Sequence, residues 1–189
     1  MFYRFAKFLM KIVFKIKYKL DVHGNTSLPE TPLVICANHI NIWDPILLAI
    51  IFDRPIRFMA KKELFENKIL GFLLEKFGAF PVDRENVNVQ TIKYAIKLVK
   101  NNEVLGIFPE GTRVKTVSEQ NMKTGVAMIA SRAGADVIPV FIKSDYKFRS
   151  TVEVFIREKI AISSFDDVSK DIKNKEITKA IYKNIYKVN

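Results

Sequence analysis

With 189 residues, 49% apolar and 27% charged, the chain is about one domain by the usual prior of roughly 150 residues, and its composition excludes a disordered or low-complexity protein. Lysine and arginine outnumber aspartate and glutamate 31 to 20, a net charge of +11, which calls for an acidic partner: nucleic acid, an anionic membrane or a phosphorylated small molecule. One cysteine and two histidines exclude a disulfide framework and a cysteine-rich zinc site.

Residues 1–20 hold six basic side chains and no acid. Arg4, Lys7, Lys11 and Lys15 share one helical stripe, and Phe5, Leu9, Ile12, Val13, Ile16 and Leu20 share the opposite one. A bilayer-spanning helix is excluded, because the three central lysines would cost about 7–10 kcal/mol on the insertion scale against about 3–5 regained from the apolar residues. A secretory signal is excluded by the lysines that interrupt its apolar run. Two readings remain. One is a helix lying in a membrane interface, with Phe5, Leu9, Ile12, Val13 and Ile16 as the lipid contacts. The other is an amphipathic helix docked on the protein's own core.

From residue 21 onward, strand-like and helix-like runs alternate. Leu33–Ala37 reads as a buried strand, and Asp44–Pro45 opens a helix through Phe52. Arg57–Ala60 reads as a strand, Glu63–Phe77 as a helix, Ala79–Val82 as a strand and Val87–Lys100 as a helix. Val104–Phe108 is a strand, Thr124–Arg132 a helix ended by Gly134, and Val137–Ile142 a strand whose Pro139 suggests an edge or a bulge. Thr151–Ile156 adds a strand, and Val168, Ile172, Ile177, Ile181 and Ile185 mark a closing helix. This alternation predicts one α/β domain over 21–189, a single mixed, mostly parallel sheet flanked by helices and preceded by the amphipathic helix.

Sites in such folds sit at the C-terminal ends of strands. After the Leu33–Ala37 strand comes Asn38-His39-Ile40-Asn41-Ile42-Trp43-Asp44-Pro45. His39 and Asp44, five residues apart, cannot share one face of a continuous helix. They meet if His39 lies in the loop and Asp44 is the N-cap of the following helix. The carboxylate would then accept Nδ1–H and free Nε2 as a general base. Alone, the pair reads equally as a cap beside a loop histidine. Three further groups follow at strand ends: Met59-Ala60-Lys61-Lys62-Glu63-Leu64, Gly78-Ala79-Phe80-Pro81-Val82-Asp83-Arg84 and Phe108-Pro109-Glu110-Gly111-Thr112-Arg113. In the last, Gly111 permits unusual backbone angles and Arg113 offers a planar fork for phosphate.

Together, N-H-x4-D, K-x-E-L, F-P-V-D-R, F-P-E-G-T-R and V-I-P-V resemble the glycerolipid acyltransferases, most closely the 1-acyl-glycerol-3-phosphate (lysophosphatidic acid) acyltransferases. The resemblance runs from about Val22 to Ile142. One departure is Asn41, where many members carry serine. The resemblance implies transfer of an acyl group from acyl-CoA or acyl carrier protein to the sn-2 hydroxyl of a lysophospholipid, giving phosphatidic acid. It implies His39 as base, oriented by Asp44, with Lys61, Arg84, Glu110, Gly111, Thr112 and Arg113 on the acceptor side. Because a carboxylate repels phosphate, Glu110 is expected to bind glycerol hydroxyls or to hold an arginine. No bound cofactor or metal is expected, and no serine elbow of the G-x-S-x-G type is present.

Cys36 beside His39 could carry an acyl-cysteine, but a small apolar strand residue is the plainer reading. His23 reads as structural. An enzyme with lipid substrates favours the interfacial helix and peripheral attachment to the cytoplasmic face of a membrane. Rival readings are a different acceptor (another lysophospholipid or glycerol-3-phosphate), a non-catalytic lipid-binding protein, and nucleic-acid binding, for which no recognition module is visible.

Overall fold

The computed structural model describes residues 2–83, 88–113 and 122–187. Its elements run α1 (Phe2–Lys17), β1 (Lys19–His23), β2 (Leu33–Ala37), α2 (Asp44–Ile51), β3 (Ile56–Lys61), α3 (Lys68–Lys76), β4 (Phe80–Val82), α4 (Val89–Lys100), β5 (Val104–Ile107), α5 (Gly125–Ala133), β6 (Asp136–Lys143), β7 (Thr151–Ile156) and α6 (Lys170–Ile185).

The strands form one seven-stranded sheet in the order β1-β7-β6-β2-β5-β3-β4. Between the strands, β6 pairs with β7 antiparallel and the other described pairings are parallel. β2 is buried at every position, as a central strand covered on both faces requires. Its alternate residues feed two cores. Leu33, Ile35 and Ala37 join Phe14 and Tyr18 at the end of α1 with Leu47, Leu48 and Ile50 of α2. Val34 and Cys36 join the inner faces of α4, α5 and α6. The mixed, mostly parallel sheet expected from the alternation is the one observed.

Several local expectations need correction. Residues 19–23 form an edge strand, so the first helix ends at Lys17 rather than at residue 20. The expected helix from 63 to 77 is divided: a 3₁₀ turn at Lys62–Phe65 is followed by α3, whose N-cap Asn67 accepts from the amides of Ile69 and Leu70. Pro139 lies in an interior strand, not at an edge. Its carbonyl accepts from Arg157 N, where the regular β6–β7 ladder, which ends at Val140↔Ile156, gives way to the isolated Val137–Ile160 bridge. The missing N–H therefore falls in an interrupted stretch of the ladder.

α1 carries three faces rather than two. Ala6, Phe14 and the adjoining Tyr18 are buried, so part of the helix docks on the core. Phe5, Phe8, Leu9, Ile12 and Ile16 are exposed, Phe5 and Ile16 by 64% and 63%, and Val13 is half-buried. Lys7 is drawn from the basic stripe to the carbonyl of Phe52. Among the described residues no helix is long and apolar enough to cross a membrane.

Candidate active site

β2, β5, β3 and β4 run parallel, so the segments that follow them emerge at one rim of the sheet. That rim collects Asn38–Trp43, Phe108–Arg113, Lys61–Lys62 and Asp83. Asn38 fastens the end of β2: its side chain donates to Ile142 O at 2.8 Å and accepts from Ile142 N at 2.7 Å, continuing the ladder to β6 with amide groups in place of backbone.

His39 follows at 8% exposure, its ring stacked on Phe108 with centroids 4.2 Å apart. Nδ1 lies 2.9 Å from Oδ2 of Asp44, whose residue exposure is 0%. The same oxygen accepts from Ile40 N and Asn41 N, each at 2.7 Å, and Oδ1 accepts from the Tyr146 hydroxyl at 2.6 Å. An acceptor so engaged requires a proton on Nδ1, which leaves the lone pair on Nε2. No described residue bonds Nε2.

Asp44 was expected as the helix cap, but it is the first residue of α2, with Trp43 as the flanking residue and no side-chain cap bond. Its carboxylate turns back to gather the loop it follows, while Pro45 in the first turn needs no N–H partner. Asn41, at the departing position, accepts from Trp43 N at 3.2 Å and so stiffens the same loop.

Gly111 has φ +70° and donates its amide to Phe108 O at 3.0 Å, the left-handed turn its lack of a side chain allows. Glu110 is 6% exposed and accepts from the Tyr186 hydroxyl at 2.6 Å. Among the described residues its side-chain partner is thus a tyrosine at the end of α6 rather than an arginine. Burial pushes the Glu110 carboxyl up; the Tyr186 hydroxyl, nearby backbone N–H groups and the His39 charge draw it back. Burial first, then Glu110, pushes the Tyr186 phenol far up, so it remains a donor.

Thr112 and Arg113 are exposed at the rim. Lys61 ends β3 with its ammonium 3.5 Å from Glu63, and Lys62 meets Asp83 at 2.6 Å, joining the ends of β3 and β4. Arg84 lies outside the described residues. Lys123, missed in the sequence, closes the Glu110 loop from the other side: its N–H donates to Pro109 O at 2.9 Å, and its stem lies over Gly111. A cavity of about 120 Å³ opens beside this loop, walled by Met59, Val82, Ile92, Phe108 and Val126 with Lys123 among its lining.

Cys36 is fully buried, its thiol pushed well up by burial and then by Glu110, which suits a packing role. His23 stacks on Phe155 at 4.8 Å, on the edge strand β1.

The Acyltransferase family model matches residues 19–143. The 1-acyl-sn-glycerol-3-phosphate acyltransferase of Bacillus subtilis (strain 168) is 40% identical over 139 residues, covering 72% of this chain and 69% of that protein. Its namesake from Streptococcus pneumoniae (strain ATCC BAA-255 / R6) is 34% identical over 145 residues, covering 74% of this chain but 53% of that protein. The crystal structure of the 1-acyl-sn-glycerophosphate (LPA) acyltransferase PlsC from Thermotoga maritima superposes with a TM-score of 0.74 over 96% of this chain and 77% of that one. At 22% identity, that likeness is one of fold.

Proposed function

Since the chain belongs to the acyltransferase family, we propose that it moves a fatty acyl group from acyl-CoA or acyl carrier protein to the sn-2 hydroxyl of 1-acyl-glycerol-3-phosphate, giving phosphatidic acid. The observation that carries this reading is the 2.9 Å contact between His39 Nδ1 and a wholly buried Asp44.

The chemistry follows from that contact. Nε2 takes the proton of the acceptor hydroxyl as its oxygen attacks the thioester carbonyl. The carbon–sulfur bond of the tetrahedral species then breaks, and the imidazolium returns the proton to the departing thiolate. Asp44 steadies the imidazolium in between. Positioned base catalysis of this kind contributes about 10²–10⁴ in rate. Arg113 and Lys123, with Lys61 and Arg84, would bind the acceptor phosphate through charge-assisted hydrogen bonds. No resident metal or cofactor enters these steps.

The acceptor is a lipid, and α1 supplies the means of reaching it. An exposed apolar arc through Phe5, Phe8, Leu9, Ile12 and Ile16 flanks the basic stripe, the arrangement of a helix seated in the headgroup layer. We place the enzyme peripherally on the cytoplasmic face of a membrane. Leu9→Ser with Ile16→Ser should reduce flotation with anionic vesicles about tenfold or more, and added salt should weaken what remains. Removal of residues 1–20 is a poor test, since Phe14 and Tyr18 belong to the core.

Thiol release from acyl-CoA or acyl carrier protein, with and without lysophosphatidate, tests the reaction. Acceptor-dependent release that His39→Ala abolishes is the expected result. Equal release from both proteins would falsify the assigned base, and release with another lysophospholipid or glycerol-3-phosphate in place of lysophosphatidate would reassign the acceptor.

A further inference from the structure

Asp44 has a donor that no motif around it announces. Tyr146 sits in the connection between β6 and β7, and its hydroxyl donates to Oδ1 of Asp44 at 2.6 Å. Oδ1 faces away from the atom that holds His39: Oδ2 takes His39 and the two loop amides, and Oδ1 takes Tyr146. Filling Oδ1 fixes the carboxylate plane and so the direction in which Oδ2 meets the imidazole. Burial, and then the Asp44 charge, push the Tyr146 phenol far up, which keeps it a donor. The residue holds this place with φ +53°, an unusual backbone conformation for a bulky side chain. Its amide is tied to Ser144 Oγ at 3.0 Å.

The Tyr146 segment is fastened in turn to the end of α1. Arg149 N donates to Lys17 O at 2.6 Å, and Lys19 N donates to Ser150 O at 3.0 Å. The Tyr146 ring meets Tyr18 edge-on at 5.5 Å, and Phe14 of α1 meets Trp43, the residue before Asp44, at 5.8 Å. The end of the exposed apolar helix thus touches the catalytic segment at two places.

We propose that Tyr146 is a positioning residue for the His39–Asp44 pair and that the end of α1 holds it there, a role that rests on His39 acting as the base. Tyr146 directs the carboxylate that orients the imidazole without touching substrate. The helix that bears the exposed apolar arc thus also holds the pair in line, through its buried residues rather than through that arc.

Tyr146→Phe tests this, because the ring stays against Tyr18 and only the bond to Asp44 is lost. The titratable groups facing the pair are Tyr146 and Tyr18 on this side and Glu110 from the end of β5, with Lys17 over the Trp43 ring; none is altered except the one hydroxyl. With Oδ1 unbonded, more of the carboxylate charge acts on the imidazolium. The acid limb of the kcat profile should then move to higher pH by about half a unit. kcat should fall about tenfold while KM for donor and acceptor stays within about twofold. Tyr18→Ala should lower kcat in the same sense with vesicle flotation unchanged.

Thermal melting and His39→Ala are measured alongside. If His39→Ala is inactive while Tyr146→Phe keeps the wild-type kcat and pH profile, the positioning role is overturned and the base assignment stands. If His39→Ala stays active, both are overturned. A folded Tyr18→Ala protein that retains the wild-type kcat overturns the link to α1.

Discussion

Asp44→Asn separates the charge of the proposed His39–Asp44 pair from its geometry. Two backbone amides point at Oδ2 from 2.7 Å, and an amide NH₂ placed there would set donor against donor. The carboxamide oxygen must take that position, with NH₂ at Oδ1, where the Tyr146 oxygen can accept from it. His39 Nδ1–H then keeps its acceptor and its tautomer. What disappears is the negative charge beside the imidazolium formed in the reaction. Hydrogen bonds to a charged group contribute about 1.5–3 kcal/mol against about 1 for a neutral pair, so the transition state loses about 0.5–2 kcal/mol. At about 1.4 kcal/mol per tenfold, kcat should fall about 2- to 30-fold. Asp44→Ala differs in kind: it leaves the partly buried N–H groups of Ile40 and Asn41 without their acceptor, at up to about 1–3 kcal/mol each against a stability of about 5–15 kcal/mol, and should melt at a lower temperature. The assay is steady-state thiol release at saturating acceptor, with thermal melting on the same preparations. Combined with His39→Ala, the Asn substitution should slow the enzyme no further, because the two side chains act as a unit. Wild-type kcat in Asp44→Asn, or losses that multiply in the double variant, would refute the shared role. An Asn variant as inactive as His39→Ala, with normal melting, would refute the locked amide.

Arg113→Ala and Lys123→Ala should each raise KM for lysophosphatidate about tenfold or more with kcat retained, as loss of a charge-assisted bond requires; a monoacylglycerol lacking the phosphate should not distinguish them from wild type. Glu110 holds its proton in the folded chain above its ordinary value of 4.5, so the folded state binds more protons than the unfolded one over that interval. Its contribution to stability therefore falls as pH rises above about 4.5. Melting of Glu110→Gln across that range should lack this decline, and parallel curves for the two proteins would contradict the sign. Cys36→Ala should preserve acceptor-dependent release at a stability cost of about 1 kcal/mol, whereas complete loss of release in a folded protein would revive an acyl-cysteine.

Much of this architecture is written in short-range patterns. The β2 run Leu33–Ala37, the inward residues of α4, Gly134 at φ +64° after α5 and the alternation in β7 all declare themselves within a few residues. His39 and Asp44 were legible for the same reason: the loop between them is short enough for local geometry to bring them together. β1 was not, because four of its five positions are exposed and an edge strand has no buried face to impose a period. The break before α3 had a visible sign in Asn67, whose capping role was submerged in the apolar run that follows it.

The sequence by itself determined the order of the elements from β2 onward, the helix-and-strand class and the rim where the motifs gather, since side-chain period, caps and glycine angles act over one or two turns of chain. Only the tertiary structure decided which distant groups complete the site. Tyr146 reaches Asp44 across 102 residues and Tyr186 reaches Glu110 across 76, and neither carries a local signal of its partner. The same holds for α1, whose exposed arc and docked arc are both apolar; packing against α2 and the sheet took Phe14 into the core and left Phe5 and Ile16 outside. Hydrophobicity marks what can be buried, and the geometry of the assembled layers settles what is.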